Sequence, residues 1–284
     1  MNLPQDRPSL PLAQGELSTE AGAEFAALKH QIRDAVDFQC DGYKEKCLRR
    51  RIAVRMRARG VHRYVEYAEL LKRDAEEYAR LVDTLTINVS KFFRNPDVWG
   101  VVGERILPEL LALGDPVINV WSAGTAGGEE AYTMAILAHE HAVTHGHSAD
   151  RVRILGTDID RASLAFAQRA EYTDFAMTDI DPAVRDRWFD GNGTYRLRPE
   201  ARRRVRFAVL DLMRDEFPSG QHVILCRNVI IYFERAVQER LFQRFHDALR
   251  PGGFLVLGKV EALFGAPSGL FNTVANRQRV FRRP

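Results

Sequence analysis

The chain has 284 residues, 45% hydrophobic and 28% charged, the balance of a folded globular protein with room for one large unit or two smaller ones. Its 41 Lys and Arg against 38 Asp and Glu leave a formal charge of +3, too little for a protein held mainly on nucleic-acid phosphates, so any basic partner site has to be local. No apolar run approaches the roughly 18 residues of a membrane span, the N-terminus lacks the pattern of a secretion signal, and Cys40, Cys47 and Cys226 form no CxxC pair. The expected location is therefore the cytoplasm, without membrane insertion.

Residues 1–20 carry Pro4, Pro8 and Pro11 and no apolar periodicity, which predicts a flexible tail. Residues 21–95 read as a helical domain and linker. Apolar residues recur at helical spacing in Phe25, Leu28, Ile32 and Val36, in Leu48, Ile52 and Met56, and in Tyr64, Tyr67, Leu70 and Leu71, with Gly22, Gly42 and Gly60 as punctuation. From 96 to 284 the texture changes to short apolar runs at 117–121, 152–156, 205–209, 222–226, 254–257 and 279–281, separated by amphipathic segments. That alternation predicts an α/β fold, a mostly parallel sheet with helices on both faces. The turn Asp190-Gly191-Asn192-Gly193, followed by strand-like Thr194-Tyr195-Arg196-Leu197, interrupts it and predicts a small inserted β-subdomain at about 173–204.

Four segments carry chemistry. The run 117–121 feeds Ser122-Ala123-Gly124-Thr125-Ala126-Gly127-Gly128-Glu129-Glu130 and then a helix, a glycine turn where a nucleoside can approach the backbone at Gly124. Two glutamates at that helix start would repel a pyrophosphate, so Glu129 points to a cationic ligand, and S-adenosylmethionine is an adenosine bearing a sulfonium and an ammonium. Asp158, ending the next apolar run, is the candidate for the ribose hydroxyls, while Asp160 reads as a cap for the following helix. Asp211 and Asn228 follow two further runs and so overhang the same edge, placed to read adenine or the methionine head. Asn228 is followed by Val229 and Ile230, not by the Pro-Pro-aromatic sequence of amino methyltransferases. Asn88, Ser90, Phe92, Phe93 and Arg94 look like a linker folded onto the pocket.

Together these motifs resemble the CheR-type chemoreceptor glutamate methyltransferases, over residues 39–281. The resemblance rests on Leu48-Arg49-Arg50-Arg51-Ile52, the 88–94 segment, 121–132, 157–160, Cys226-Arg227-Asn228-Val229-Ile230-Ile231-Tyr232-Phe233, and 252–261. It implies an all-α N-terminal domain followed by a Rossmann-like methyltransferase domain with a small β-subdomain. It also implies S-adenosylmethionine as methyl donor, S-adenosylhomocysteine as product, and glutamate side chains in the cytoplasmic domain of methyl-accepting chemotaxis receptors as acceptors, forming γ-methyl esters. By motif position Asn88, Ser90, Arg94, Glu129, Asp158, Asp211, Leu212, Arg227 and Asn228 line the cofactor site, and Arg94 and Tyr232 face the substrate. The chain departs from the family pattern at Thr125-Ala126-Gly127, Ala131, Ser90 and Lys259-Val260.

Between residues 44 and 63 nine Lys and Arg stand against Glu45 alone, and Arg51, Arg55 and Arg59 repeat at helical spacing, a candidate dock for an acidic receptor helix. His139-Glu140-His141 is not a zinc-type HExxH, since Val143 takes the final position, and no metal is expected. Cys226 on an apolar run is expected to pack rather than react. Two rival readings are a catalytically weak S-adenosylmethionine-binding signalling module and a nucleic-acid methyltransferase. The small net charge and the missing base-methylation motif weigh against the second, and a monomer is expected.

Overall fold

The computed structural model describes residues 19–86 and 88–284; all but the last two residues of the expected tail, 1–20, lie outside the described residues. The chain begins with four helices, α1 (Thr19–Val36), α2 (Glu45–Ala58), α3 (Tyr64–Arg73) and α4 (Ala75–Leu85). Each presents one apolar stripe to a shared core: Phe25, Leu28 and Ile32 from α1, Leu48, Ile52 and Met56 from α2, Tyr67 and Leu71 from α3, Leu81 and Leu85 from α4. The last of these helices ends at Leu85. Residues 88–95 run irregularly to Asn95, whose φ of 58° turns the chain into Pro96.

From there follow α5 (Pro96–Val101), a π-helical turn (Val102–Ile106), α6 (Leu107–Ala112), β1 (Ile118–Ala123), α7 (Glu129–Thr144), β2 (Val152–Asp158) and α8 (Arg161–Arg169). Next come β3 (Glu171–Thr173), α9 (Pro182–Trp188), β4 (Phe189–Asp190), β5 (Thr194–Leu197), α10 (Pro199–Arg202), β6 (Val205–Val209) and β7 (Gln221–Cys226). The chain ends with α11 (Arg235–Ala248), β8 (Leu249–Leu257), β9 (Asn272–Ala275) and β10 (Val280–Arg282).

The main sheet has seven strands in the order β6-β2-β1-β7-β8-β10-β9. The first five are parallel and the last two antiparallel. β7 is buried at every position, as a central strand covered on both faces must be. One face packs Ile118, Val120 and Ile154 against α5 to α7. The other packs Trp121, Ile224 and Leu255 against Phe242 and Phe245 of α11. β3, β5 and β4 form a separate antiparallel sheet, with Phe189 opposite Leu197 across the glycine turn. β3 and β9 had no sequence signal, because short edge strands need no apolar run to be held in register.

Because β6, β2, β1, β7 and β8 run the same way, the segments after them emerge at one edge of the sheet. The helical region is tied to that edge by the backbone. Lys44 N donates to Tyr232 O (2.8 Å), Glu234 N donates to Gly42 O (2.9 Å), and the Tyr43 and Phe233 rings pack at 4.9 Å.

Candidate functional site

At the end of β1, Gly124 adopts φ +76°, and a Cβ there would come within 2.5 Å of the Val229 side chain, so only glycine fits. The turn is braced from β2: Gly124 N and Thr125 N both donate to Thr157 O, at 2.8 and 2.9 Å, and Ala126 N donates to the Asp158 carboxylate at 2.9 Å. Tyr172 donates its hydroxyl to Gly127 O at 2.8 Å. The loop is therefore shaped by the protein itself before any ligand arrives.

Two cavities meet at this turn. The first has apolar walls from Tyr43, Leu85, Ile159, Leu210, Leu212 and Phe233 and polar groups from Asn88, Asp158 and Asp211. The second is lined by Ser90, Arg94, Glu130 and Arg227. Gly124, Asn228, Val229 and Tyr232 border both. An apolar slot with a few carboxylates suits an adenosine, and a charged chamber suits an amino-acid head and an ionic acceptor.

The polar groups differ in how far the protein satisfies them. Burial raises the Asp158 carboxyl, opposed by backbone donors from Asp160 and Ala126. Burial also raises Asp211, which accepts from Met213 N at 2.8 Å. Asp160 caps α8 through Ala162 N (2.8 Å) and accepts from Ser163 Oγ (2.8 Å) and from the Asn88 amide. Arg227 is buried and committed through its terminal nitrogens: it donates to Arg94 O (2.6 Å) and Asn95 Oδ1 (3.2 Å) and faces Glu130 at 3.4 Å, its Nε having no partner among the described residues, while Ser122 Oγ donates to the other Glu130 oxygen at 2.8 Å. The Arg94 guanidinium makes a single hydrogen bond among the described residues, to Val89 O at 3.2 Å.

Three buried polar atoms beside the turn have no partner among the described residues: Thr125 Oγ1, Glu129 Oε2 and Asn228 Oδ1. Such atoms cost free energy until something bonds them, which marks the place a ligand completes. Glu129 is 5% exposed, and burial pushes its carboxyl up to about 7. A buried carboxylate with an open oxygen is the group an ammonium requires, so these residues fit S-adenosylmethionine.

The structure also corrects the sequence reading. Glu129 folds back toward the Gly127 backbone and borders neither cavity; the carboxylate on the wall of the second is Glu130. Arg51, Arg55 and Arg59 do not form an open basic stripe. Arg55 is paired with the fully buried Glu77 (2.7 Å), Arg59 with Asp74 (2.9 Å), and Arg51 donates to Thr84 O (2.5 Å) with its guanidinium 5.5 Å from the Tyr232 ring. The face of α2 that points outward carries Lys46, Arg50 and Arg57. A period of four residues identified one face, but only the position of α4 decided that this face turns inward.

Sequence reasoning missed Tyr43 and Glu261. Tyr43 comes from the helical region, and nothing local signals that it walls a cavity formed by β-strand ends. Glu261 is 3% exposed and accepts four backbone donors, from Asn228 (2.9 Å), Val229 (2.9 Å), Ile230 (3.0 Å) and Gly258 (2.6 Å). It holds Asn228 at φ +62°, a left-handed conformation that asparagine tolerates. Its signal was its place after the last parallel strand. His139 packs edge-on against Trp188, and Glu140 pairs with Arg187. Cys226 is buried in the apolar core, its thiol pushed well up by burial.

Residues 23–86 match the family described as CheR methyltransferase, all-alpha domain, and residues 88–280 match CheR methyltransferase, SAM binding domain. A chemotaxis protein methyltransferase of Listeria innocua is 35% identical over 222 residues, 78% of this chain and 83% of that one. Chemotaxis protein methyltransferase 1 of Pseudomonas aeruginosa is 35% identical over 66% of this chain and 70% of its own length. A chemotaxis protein methyltransferase of Klebsiella aerogenes is 30% identical over 84% of this chain and 83% of its own. No helix among the described residues is long and apolar enough to cross a membrane.

Proposed function

Because the chain belongs to the CheR methyltransferase family and takes S-adenosylmethionine as cofactor, we propose that it methylates glutamate side chains of chemotaxis receptors, forming γ-methyl esters. The observation that carries the reading is the junction of the two cavities, where an apolar slot edged by Asp158 and Asp211 meets, at Gly124 and Asn228, a chamber holding Arg94 and Tyr232.

In this reading Asn88, Asp158, Asp211 and Leu212 hold the adenosine, Gly124, Asn228 and the Glu130–Arg227 pair surround the amino-acid portion, and the Glu129 charge acts on the ammonium from behind the Gly127 backbone. The bound cofactor supplies an activated methyl group on a cationic sulfur. The acceptor carboxylate is ionised near neutral pH, so no general base is required of the protein. Arg227 is neutralised by Glu130 and committed to Arg94 O, which leaves the Arg94 guanidinium to draw in and orient the acceptor by charge-assisted hydrogen bonding. Tyr232 offers a hydroxyl at the border of both cavities, and the apolar walls keep water from the reacting groups. Ser90 contributes a small polar side chain beside Arg94.

The acceptor is an acidic segment of a receptor's cytoplasmic domain, met by the outward Lys46, Arg50 and Arg57 and by Arg51 beside Tyr232, with this protein acting as a cytoplasmic monomer. The proposed organisation keeps a helical domain and linker at 21–95, a methyltransferase domain at 96–284, and an inserted β-subdomain at about 173–204 that holds β4 and β5 and pairs with β3 just ahead of it. The departures at Lys259 and Val260 favour no weakened reading. Lys259 pairs with Asp97 at 2.7 Å and Val260 lies at the surface, while Glu261 still holds the Asn228 turn. Incubation with methyl-labelled S-adenosylmethionine and receptor-bearing membranes tests the proposal: label released by alkali as volatile methanol supports it, and alkali-stable label or none refutes it.

A further inference from the structure

The crossover from β6 to β7, residues 210–220, contains no helix, so one face of β6 and of the start of β2 lies uncovered at the sheet's edge, while further along β2 Leu155 packs on the core and Thr157 is buried. The opposite face of β6 is packed in the usual way, through Val205 and Phe207. On the uncovered face Arg206 stands opposite Leu155, two positions along from Arg153, and both arginines are exposed with no ion pair or side-chain hydrogen bond among the described residues. Arg203 and Arg204 border the same hollow, and Asp150 is the one carboxylate there, bonded at 3.3 Å by Arg203 and at 3.1 Å by Arg204. Four guanidiniums therefore share one acid.

We propose that this hollow, about 670 Å³ at the amino ends of β1, β2 and β7, binds a phosphate-bearing small molecule the size of a nucleotide. It shares no lining residue with the cofactor cavities. Like charges on neighbouring strands repel, and here no protein carboxylate relieves Arg153 and Arg206, whereas a phosphate can take two planar forks at once. Gln221, 6% exposed, lies on the floor with Oε1 unpartnered while its Nε2 donates to Ser219 O at 3.1 Å. The fixed amide leaves an acceptor that a sugar hydroxyl or a base amine satisfies. A concave site of this size suits a small ligand, while an acidic protein segment needs a broader contact.

The test uses the full chain saturated with S-adenosylhomocysteine, so that an adenine nucleotide cannot report on the cofactor site, titrated calorimetrically with ATP, GTP and pyrophosphate. The expected result is saturable binding that weakens with added salt and falls at least about tenfold in Arg153→Ala/Arg206→Ala, with S-adenosylhomocysteine affinity retained as the check on folding. Pyrophosphate binding as tightly as the nucleotides supports the site with phosphate alone as determinant, and tighter nucleotide binding lost in Gln221→Leu supports recognition of the nucleoside as well. Absence of saturable binding by all three, binding unchanged in the double variant, or capture of an acidic polymer alone overturns the proposal.

Discussion

Two buried carboxylates, Glu77 in the helical region and Glu129 at the sheet edge, meet opposite fates. In the helical region Glu77 has no exposed surface and is closed off completely: Arg55 donates two hydrogen bonds at 2.7 and 2.9 Å, Tyr67 Oη donates at 2.8 Å, and Arg59 lies 3.7 Å away. Burial alone would raise this carboxyl, but those donors outweigh it and hold it below the usual range. At the sheet edge Glu129 is nearly as buried, keeps an open oxygen, and is pushed up to about 7. The first arrangement spends its charge on holding helices together. The second leaves an acceptor open, and the difference separates spent from unspent charge more sharply than exposure does.

Breaking the closed cluster should have the largest effect. Glu77→Ala leaves two guanidiniums and a tyrosine hydroxyl without their acceptor and should cost about 3 kcal/mol in denaturant unfolding. A cost below about 1 kcal/mol would show that the cluster is solvated rather than closed. Glu129→Gln should leave unfolding unchanged or improved, yet weaken S-adenosylhomocysteine binding by about ten- to a hundredfold in calorimetry.

The same contrast has a pH signature. Cofactor affinity should fall as pH drops through about 7, by up to about tenfold per unit, because protonation removes the charge the ammonium needs. In the ligand-free protein the sign reverses. Between the ordinary carboxylate range and 7 the folded state holds a proton that the unfolded state has lost, so this group's contribution to stability declines as pH rises through that window. Bound cofactor should flatten the decline, and a flat affinity profile in wild type would remove Glu129 from the cofactor site.

Arg94→Ala should lower methyl transfer about thirtyfold with cofactor affinity little changed, and Tyr232→Phe by less; unchanged turnover in both would take them out of the mechanism. Glu261→Gln keeps one acceptor for the Asn228 turn and should cost about tenfold in cofactor affinity, with Glu261→Ala costing more. The smallest effect belongs to the outer face of α2. Arg50→Ala/Arg57→Ala should weaken receptor-fragment binding only a few-fold, and more at low salt, whereas Arg55→Ala should act through stability instead.

Much of the site was readable before folding. Gly124, Asp158, Asp211, Leu212, Arg227 and Asn228 each follow an apolar strand, and parallel strands deliver such positions to one edge by necessity. Asn88, Ser90 and Arg94 border the cavities although they precede the sheet, because Phe92 anchors their segment between Tyr172 and Phe189. What could not be read was which charge pairs with which. Arg55 and Arg50 look alike in sequence, and Glu77 sits in an unremarked helix some twenty residues away.

The alternation of apolar runs and amphipathic segments, the glycine turn and the acids at strand ends determined the fold class, the edge that carries the chemistry and the sign of the ligand's charge. These are local or periodic properties, written within a few residues of one another. The tertiary structure decided which charges are spent and which remain open: that Arg55 and Arg59 face Glu77, that Glu130 rather than Glu129 meets the second cavity, that Glu261 holds the Asn228 turn, and that Tyr43 closes the slot. Pairing depends on contacts between segments far apart in the chain, and no spacing rule encodes them.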